Sequence, residues 1–185
     1  MQRNMRFAVG SLALLVLAGC GRAPEAAEPV EPGRAATAVD PLDEPGLLAR
    51  GEYLAVTSGC NDCHSPGYAE SGGRTPREQW LLGTPIGWNG PWGTTYAANL
   101  RLKVQGMDEA SWLDYTATLH TRPPMPDFGV RAMSEEDRRA LFRFIRSLGP
   151  GGEPAPAYLP PGRQPPLPFV RWHLPAPAAA APAPG

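Results

Sequence analysis

The side chains best suited to chemistry are concentrated in one short run, Cys60-Asn61-Asp62-Cys63-His64. Two thiols three residues apart, followed at once by an imidazole, suit three chemistries: thiol–disulfide exchange, zinc coordination and covalent attachment of a haem. The chain has 3 cysteines, and the remaining one, Cys20, lies far from this run. No further pair is left for a structural disulfide, so the surroundings of the run must decide among the three chemistries.

The flanking sequence favours haem attachment. A thioredoxin-type thiol pair lies within a strand–helix–strand pattern, and no such pattern surrounds Cys60. A zinc site needs a fourth ligand and usually a second Cys or His pair, whereas His120 and His173 are isolated. In the haem interpretation, Cys60 and Cys63 form thioethers with one haem c, and His64 binds its iron.

Met125 is the predicted second ligand of that iron. It lies in the run Arg122-Pro123-Pro124-Met125-Pro126, just before the last predicted helix. A thioether binds iron weakly, so its backbone must be held in place, and the flanking prolines restrict that backbone. Ligation by Met and His also raises the reduction potential of the iron relative to ligation by two histidines. His120 is the alternative ligand, although it is expected to be exposed at the end of a helix. In a third possibility the sixth position stays open.

The N-terminus has the pattern of an export signal. Arg3 and Arg6 begin it, and the apolar run over 7–17 is too short to span a bilayer as a helix. The run ends in Leu17-Ala18-Gly19-Cys20, which resembles the lipobox of bacterial lipoproteins. The alternative is an ordinary signal peptide with an incidental cysteine.

The lipobox resemblance implies that residues 1–19 are a signal peptide and that lipid is attached to Cys20. The protein would then lie on the periplasmic side of a bacterial membrane, held by a lipid anchor. Gly21 stands where an aspartate would favour the inner membrane, so the outer membrane is expected. Residues 20–46, rich in Pro, Ala and acidic side chains, are predicted to be a tether.

Proline marks the limits of the folded part. The 24 prolines are concentrated before Gly46 and after Gly149, so residues 47–149 are predicted to be the domain. Residues 150–185 are predicted to be a Pro-rich tail that ends in a disordered Ala-Pro run. The net charge of −1 gives no indication of a nucleic-acid partner.

Caps and apolar spacing predict an all-α domain of about four helices with long loops. The helices are expected before Cys60 from Leu47, after Thr75, after Asp108 and after Ser134. The last has the clearest pattern, with a serine cap, acidic residues in its first turn and an apolar stripe that ends at Leu148. The Gly-, Trp- and Pro-rich stretch over 83–99 is predicted to be irregular.

Several of these stretches together resemble a class I cytochrome c. The likeness extends over roughly residues 46–149 and is greatest to the haem modules in cytochrome subunits of periplasmic alcohol and sugar-acid dehydrogenases. It rests on Arg50-Gly51-Glu52-Tyr53-Leu54 with the Cys60–His64 run, Gly93-Thr94-Thr95-Tyr96-Ala97-Ala98-Asn99-Leu100, Pro124-Met125-Pro126 and Met133-Ser134-Glu135-Glu136-Asp137. Those subunits carry three haem motifs, whereas this chain has one and has no transmembrane helix after the signal.

The resemblance implies a small helical domain wrapped around one covalent haem. It also implies a one-electron carrier rather than an enzyme, with a dehydrogenase, other cytochromes or an oxidase as redox partners. In such proteins Gly51 and Tyr53 lie where the first and last helices cross, opposite Phe142 or Phe144. The functional alternatives are a gas sensor or small redox enzyme with an open sixth site, and a thiol-redox lipoprotein.

Other side chains are candidates for contact with the haem. Trp80, Trp88 and Trp92, with Tyr96, would line the haem edge, and one indole would hydrogen-bond a propionate; the alternative for each is ordinary packing. Arg101 and Lys103 would neutralise propionates, or would simply lie on a solvated face.

Cys20→Ala is expected to release the protein from membranes and to leave its haem spectrum unchanged, because the tether separates the two sites. Fractionation of membranes after a salt wash, with a visible spectrum of the released protein, measures both properties. Retention of the variant on the washed membranes would point to a different anchor.

Overall fold

The computed structural model describes residues 42–173, so the signal peptide, Cys20, most of the tether and the final Ala-Pro run lie outside the described residues. The helices of this part are α1 (Glu44–Thr57), α2 (Cys60–His64), α3 (Leu100–Gln105), α4 (Glu109–Ala117), α5 (Asp127–Ala132) and α6 (Glu135–Ser147). The strands are β1 (Gly87–Gly90), β2 (Gly93–Tyr96) and β3 (Phe169–Arg171). Among these residues, no helix has the length and apolar character needed to span a membrane.

Helices α1 and α6 pack against each other at Gly51. A Cβ atom at Gly51 would lie 2.1 Å from the Ala140 carbonyl oxygen and 2.5 Å from the Phe144 Cβ, so only glycine permits this approach. The predicted role of Gly51 is confirmed, and Phe144 is the phenylalanine opposite it. Tyr53 is instead 56% exposed beside Arg50, because two helical residues turn the side chain about 200° away from the crossing.

Side-chain caps set the helix starts, as the sequence predicts for α4 and α6. The Asp108 carboxylate accepts the Ser111 amide at 2.8 Å, and the Ser134 hydroxyl accepts the Asp137 amide at 3.0 Å. Asp43 caps α1 in the same way, so α1 begins at Glu44, three residues before the predicted start of the domain at residue 47.

The helix predicted after Thr75 is only a 3₁₀ turn, Arg77–Gln79. No side chain caps this turn, because Pro76 lies at its N-cap position, and the buried Thr75 hydroxyl donates to the Pro66 carbonyl at 3.3 Å. Leu81 then adopts a positive φ of 59°, which is incompatible with continued helix. The Thr75 side chain, which the local pattern predicts to be a helix cap, therefore forms a hydrogen bond with another part of the loop instead.

A three-stranded sheet corrects the all-α prediction. Strands β1 and β2 form an antiparallel hairpin within the stretch predicted to be irregular, and β3 pairs with β1 in parallel, giving the order β2-β1-β3. Strands β1 and β2 have four residues each and begin with glycine, and β3 has only three residues, so the period-two alternation typical of a strand is absent. Because β3 belongs to the predicted tail, part of that tail is folded onto the domain.

Arg101 lies inside the fold, 8% exposed, with its guanidinium at the C-terminal end of α6. Its Nε donates to the Gly149 carbonyl at 2.6 Å. One terminal nitrogen donates to the backbone carbonyl of Leu148, and the other donates to the backbone carbonyl of Glu78 at 2.8 Å. The last carbonyls of a helix lack intrahelical donors and favour a cation. The expectation of a solvated face for Arg101 is therefore wrong, since its guanidinium is buried against these carbonyls, and its role as a propionate partner stays a prediction.

Arg101→Ala is expected to lower the free energy of unfolding by roughly 2–3 kcal/mol, because it leaves buried carbonyls without donors. Arg101→Lys should recover only part of this, since an ammonium group lacks the planar fork. Urea unfolding followed by circular dichroism measures the change, with the exposed Arg163→Ala as control. If the free energy of unfolding fell by no more than the roughly 0.5 kcal/mol of an ordinary surface substitution, this would contradict the role of Arg101 at the end of α6.

Candidate haem-binding site

The Cys60–His64 run forms α2 and is held from its C-terminal side. Its two thiols lie three residues apart and so share one face of the helical turn. The Ser65 hydroxyl donates to Asn61 at 2.7 Å and accepts the Leu81 amide at 2.7 Å. Since Asn61 and Ser65 are both buried, these bonds give the motif a rigid support.

His64 is oriented by one hydrogen bond. Its ring is 8% exposed, and Nδ1 lies 2.7 Å from the Ala98 carbonyl oxygen. A carbonyl can only accept, so Nδ1 carries the proton and Nε2 keeps a lone pair for a metal. Burial lowers the pKa of His64, which favours the neutral ring that ligation requires. No side-chain pattern indicates this backbone acceptor, although Ala98 lies in a stretch that carries the family resemblance.

The Cys60 and Cys63 thiols are not joined in a disulfide, and as thiols their protonated form prevails at neutral pH. Burial raises the pKa of Cys60 to about 11, and burial with the neighbouring Asp62 carboxylate raises the pKa of Cys63. Thiol–disulfide exchange requires a thiolate, so these shifts disfavour a thioredoxin-type role. Within residues 42–173 no group of three or more His, Cys, Asp or Glu is placed to hold a metal ion.

Met125 is half-buried in the loop before α5, and its backbone is held on both sides. The Thr95 hydroxyl donates to the Pro123 carbonyl at 2.7 Å, and the Met125 carbonyl accepts the Asp127 amide at 3.0 Å. The rival ligand, His120, is exposed as expected, and its Nδ1 lies 3.3 Å from the Arg131 guanidinium. The assignment of Met125 as the iron ligand stays a prediction.

The Trp88 indole tests whether a haem fits these residues. Its Nε1 is buried and has no hydrogen-bond partner among the described residues, whereas the Trp80 indole donates to Thr75 and the Trp92 indole to Trp88. A propionate carboxylate would satisfy such a donor. Lys103 lies 4.5 Å from the Tyr115 ring centre, where it makes a cation–π contact with that ring.

The helix crossing, the thiol pair and the oriented His64 define a helical protein built to carry a covalent haem. The Cytochrome c family model matches residues 48–149. The chain therefore belongs to the cytochrome c family, whose members hold haem c, and this membership fits an electron-transfer protein.

The chain is also similar to a cytochrome subunit of a dehydrogenase. It is 31% identical over 111 residues to the gluconate 2-dehydrogenase cytochrome c subunit of Pantoea cypripedii. The match covers 54% of this chain and 22% of that subunit, so the chain spans about a fifth of the relative's length. No solved structure gives a significant match.

Cys60→Ala and Cys63→Ala are each expected to lower the yield of holoprotein sharply, because one thioether rarely secures the haem during maturation. A pyridine haemochrome assay should give one haem per wild-type chain, and haem-stained gels should show weak bands for both variants. Asp62→Ala is the matched control, since Asp62 is exposed in the same turn. Normal staining of both cysteine variants would rule out thioether attachment at these positions.

Proposed function

We propose that this chain carries electrons one at a time through a single haem c. In this proposal Cys60 and Cys63 hold the haem covalently, and His64 and Met125 are the iron ligands. The hydrogen bond between His64 Nδ1 and the Ala98 carbonyl carries the proposal, because it presents Nε2 as a fixed, neutral metal ligand. When bound, the haem supplies one-electron iron chemistry.

The residues around the site suit a carrier because they are held rigidly. The buried bonds of Asn61 and Ser65 hold the motif, and Ala98 holds the His64 ring. A ligand that keeps its orientation in both oxidation states keeps the reorganisation accompanying electron transfer small. Trp88 offers a buried donor that would orient a propionate. The weak thioether of Met125 would keep the potential fairly high.

A dehydrogenase is the proposed electron donor, with another cytochrome or an oxidase as acceptor. The relative is named as the cytochrome c subunit of such an enzyme, which supports this choice. The chain carries one haem motif, so it would act as a single step in a redox chain rather than as a complete multihaem subunit.

The proposed location is the periplasmic face of a bacterial membrane, with the outer membrane favoured. Lipid on Cys20 would anchor the chain, and the tether would let the haem domain reach partners above the membrane surface. The lipobox-like Leu17-Ala18-Gly19-Cys20 supports this location.

Met125→Ala is expected to open one iron position in the holoprotein. The ferric variant should lose the weak far-red sulfur-to-iron band, and the reduced variant should bind carbon monoxide readily. The reduction potential should fall, because a thioether favours ferrous iron more than water does. Visible spectroscopy and potentiometric titration measure these changes.

His120→Ala is the matched control and should leave all three properties unchanged. If His120→Ala opened the iron while Met125→Ala had no effect, the ligands would be two histidines and the potential lower. Carbon monoxide binding by the reduced wild type would show an open sixth site and favour a gas sensor or small redox enzyme.

A further inference from the structure

Residues 150–173, named here the C-terminal strap, lie beyond the region that matches the family model and pack on the β1–β2 hairpin. The start of the strap is attached to Asn99, whose side-chain Nδ2 donates to the Gly151 carbonyl at 2.8 Å. Leu159 then exchanges two backbone hydrogen bonds with Thr94 of β2, at 2.8 and 3.0 Å. The first half of the strap therefore covers the outer edge of β2.

The second half of the strap covers the other edge of the hairpin. The Gly87 amide donates to the Pro168 carbonyl at 3.1 Å, and the Trp172 amide donates to the Asn89 carbonyl at 2.8 Å. The Trp172 ring packs edge-on against Trp92 with centroids 5.8 Å apart. The hairpin thus lies between two parts of the strap, with backbone hydrogen bonds on both sides.

Tyr158 connects the strap to the loop that carries Met125. Its hydroxyl donates to the Trp92 carbonyl at 2.9 Å, and the Arg122 guanidinium lies 3.9 Å from the centre of its ring. Arg122 is three residues before Met125. One side chain therefore bonds to the hairpin turn and also makes a cation–π contact with the loop.

The approach of Tyr158 depends on Gly93 in the hairpin. A Cβ atom at Gly93 would lie 2.3 Å from the Leu159 carbonyl oxygen and 3.0 Å from the Tyr158 ring, and Gly93 has a φ of +99°. Only glycine combines this backbone with this contact. The hairpin is therefore shaped to receive the strap at the level of Tyr158.

We propose that Tyr158 is a positioning residue that holds the Arg122–Met125 segment against the hairpin and so keeps the Met125 thioether on the iron. The inference rests on the proposed function, since it takes Met125 as the iron ligand. A thioether binds iron weakly, so small motions of its loop change the fraction of time for which the bond is broken. Tyr158 acts together with the Thr95–Pro123 hydrogen bond, which attaches the same loop to β2.

The test compares holoproteins of full length. Tyr158→Ala is expected to bind carbon monoxide in the reduced state about two- to fivefold faster than wild type, the factor expected for one exposed cation–π contact. Its far-red band should weaken and its reduction potential should fall. Tyr158→Phe keeps the ring beneath Arg122 but loses the hydroxyl bond to the Trp92 carbonyl, so all three properties should lie between those of Tyr158→Ala and those of wild type. Leu167→Ala, at an 85% exposed position on the same strap, should match wild type.

A double-mutant cycle of Tyr158→Ala with Arg122→Ala isolates the contact, and Arg122→Ala alone replaces Tyr158→Ala if that variant fails to mature. Arg122→Ala should reproduce the effect, and the double variant should add nothing to it. Wild-type behaviour of Tyr158→Ala or Arg122→Ala, with a normal far-red band in the wild type, would overturn the positioning role alone. A wild-type protein without that band would overturn the Met125 assignment and this role with it.

Discussion

The backbone contact between α1 and α6 at Gly51 places both halves of the proposed haem site. Helix α1 leads directly into the thiol motif, and α6 follows the short helix after Met125. With no Cβ at Gly51, the Ala140 backbone and the fully buried Phe144 can lie against α1. A bulkier residue would separate the helices, and the chain segments that carry Cys60 and Met125 would move with them.

None of the three groups at the motif carries a charge, although His64 is buried and the two cysteines are partly buried. The thiols of Cys60 and Cys63 are protonated at neutral pH, because burial raises their pKa values, and burial lowers the pKa of His64. Burying neutral groups costs far less free energy than burying ions. The polypeptide can therefore enclose its attachment site without a buried counter-ion, which suits a surface meant to receive a largely apolar ring.

Local chemistry made part of this molecule predictable. The caps Asp108 and Ser134 act on residues three positions away, and Cys60–His64 is one turn of chain, so both were recognised from the sequence. The β1–β3 pairing was missed because its partners are distant in sequence and the strands show no alternation. Arg101 was misassigned because a pattern of charges does not reveal a buried helix end. The proposed ligand role of Met125 depends on tertiary geometry that spacing alone does not specify.

Asn99 shows how a single side chain can determine which amino acid a position accepts. Its Oδ1 caps α3 by accepting the Leu102 amide at 3.0 Å, while its Nδ2 donates to the Gly151 carbonyl. An aspartate has nearly the same shape and would cap α3 equally well, but its second oxygen would face that carbonyl and repel it. The position thus discriminates between two isosteric residues, because one atom must be a hydrogen-bond donor and not an acceptor. Asn99 also directly follows Ala98, whose carbonyl orients His64.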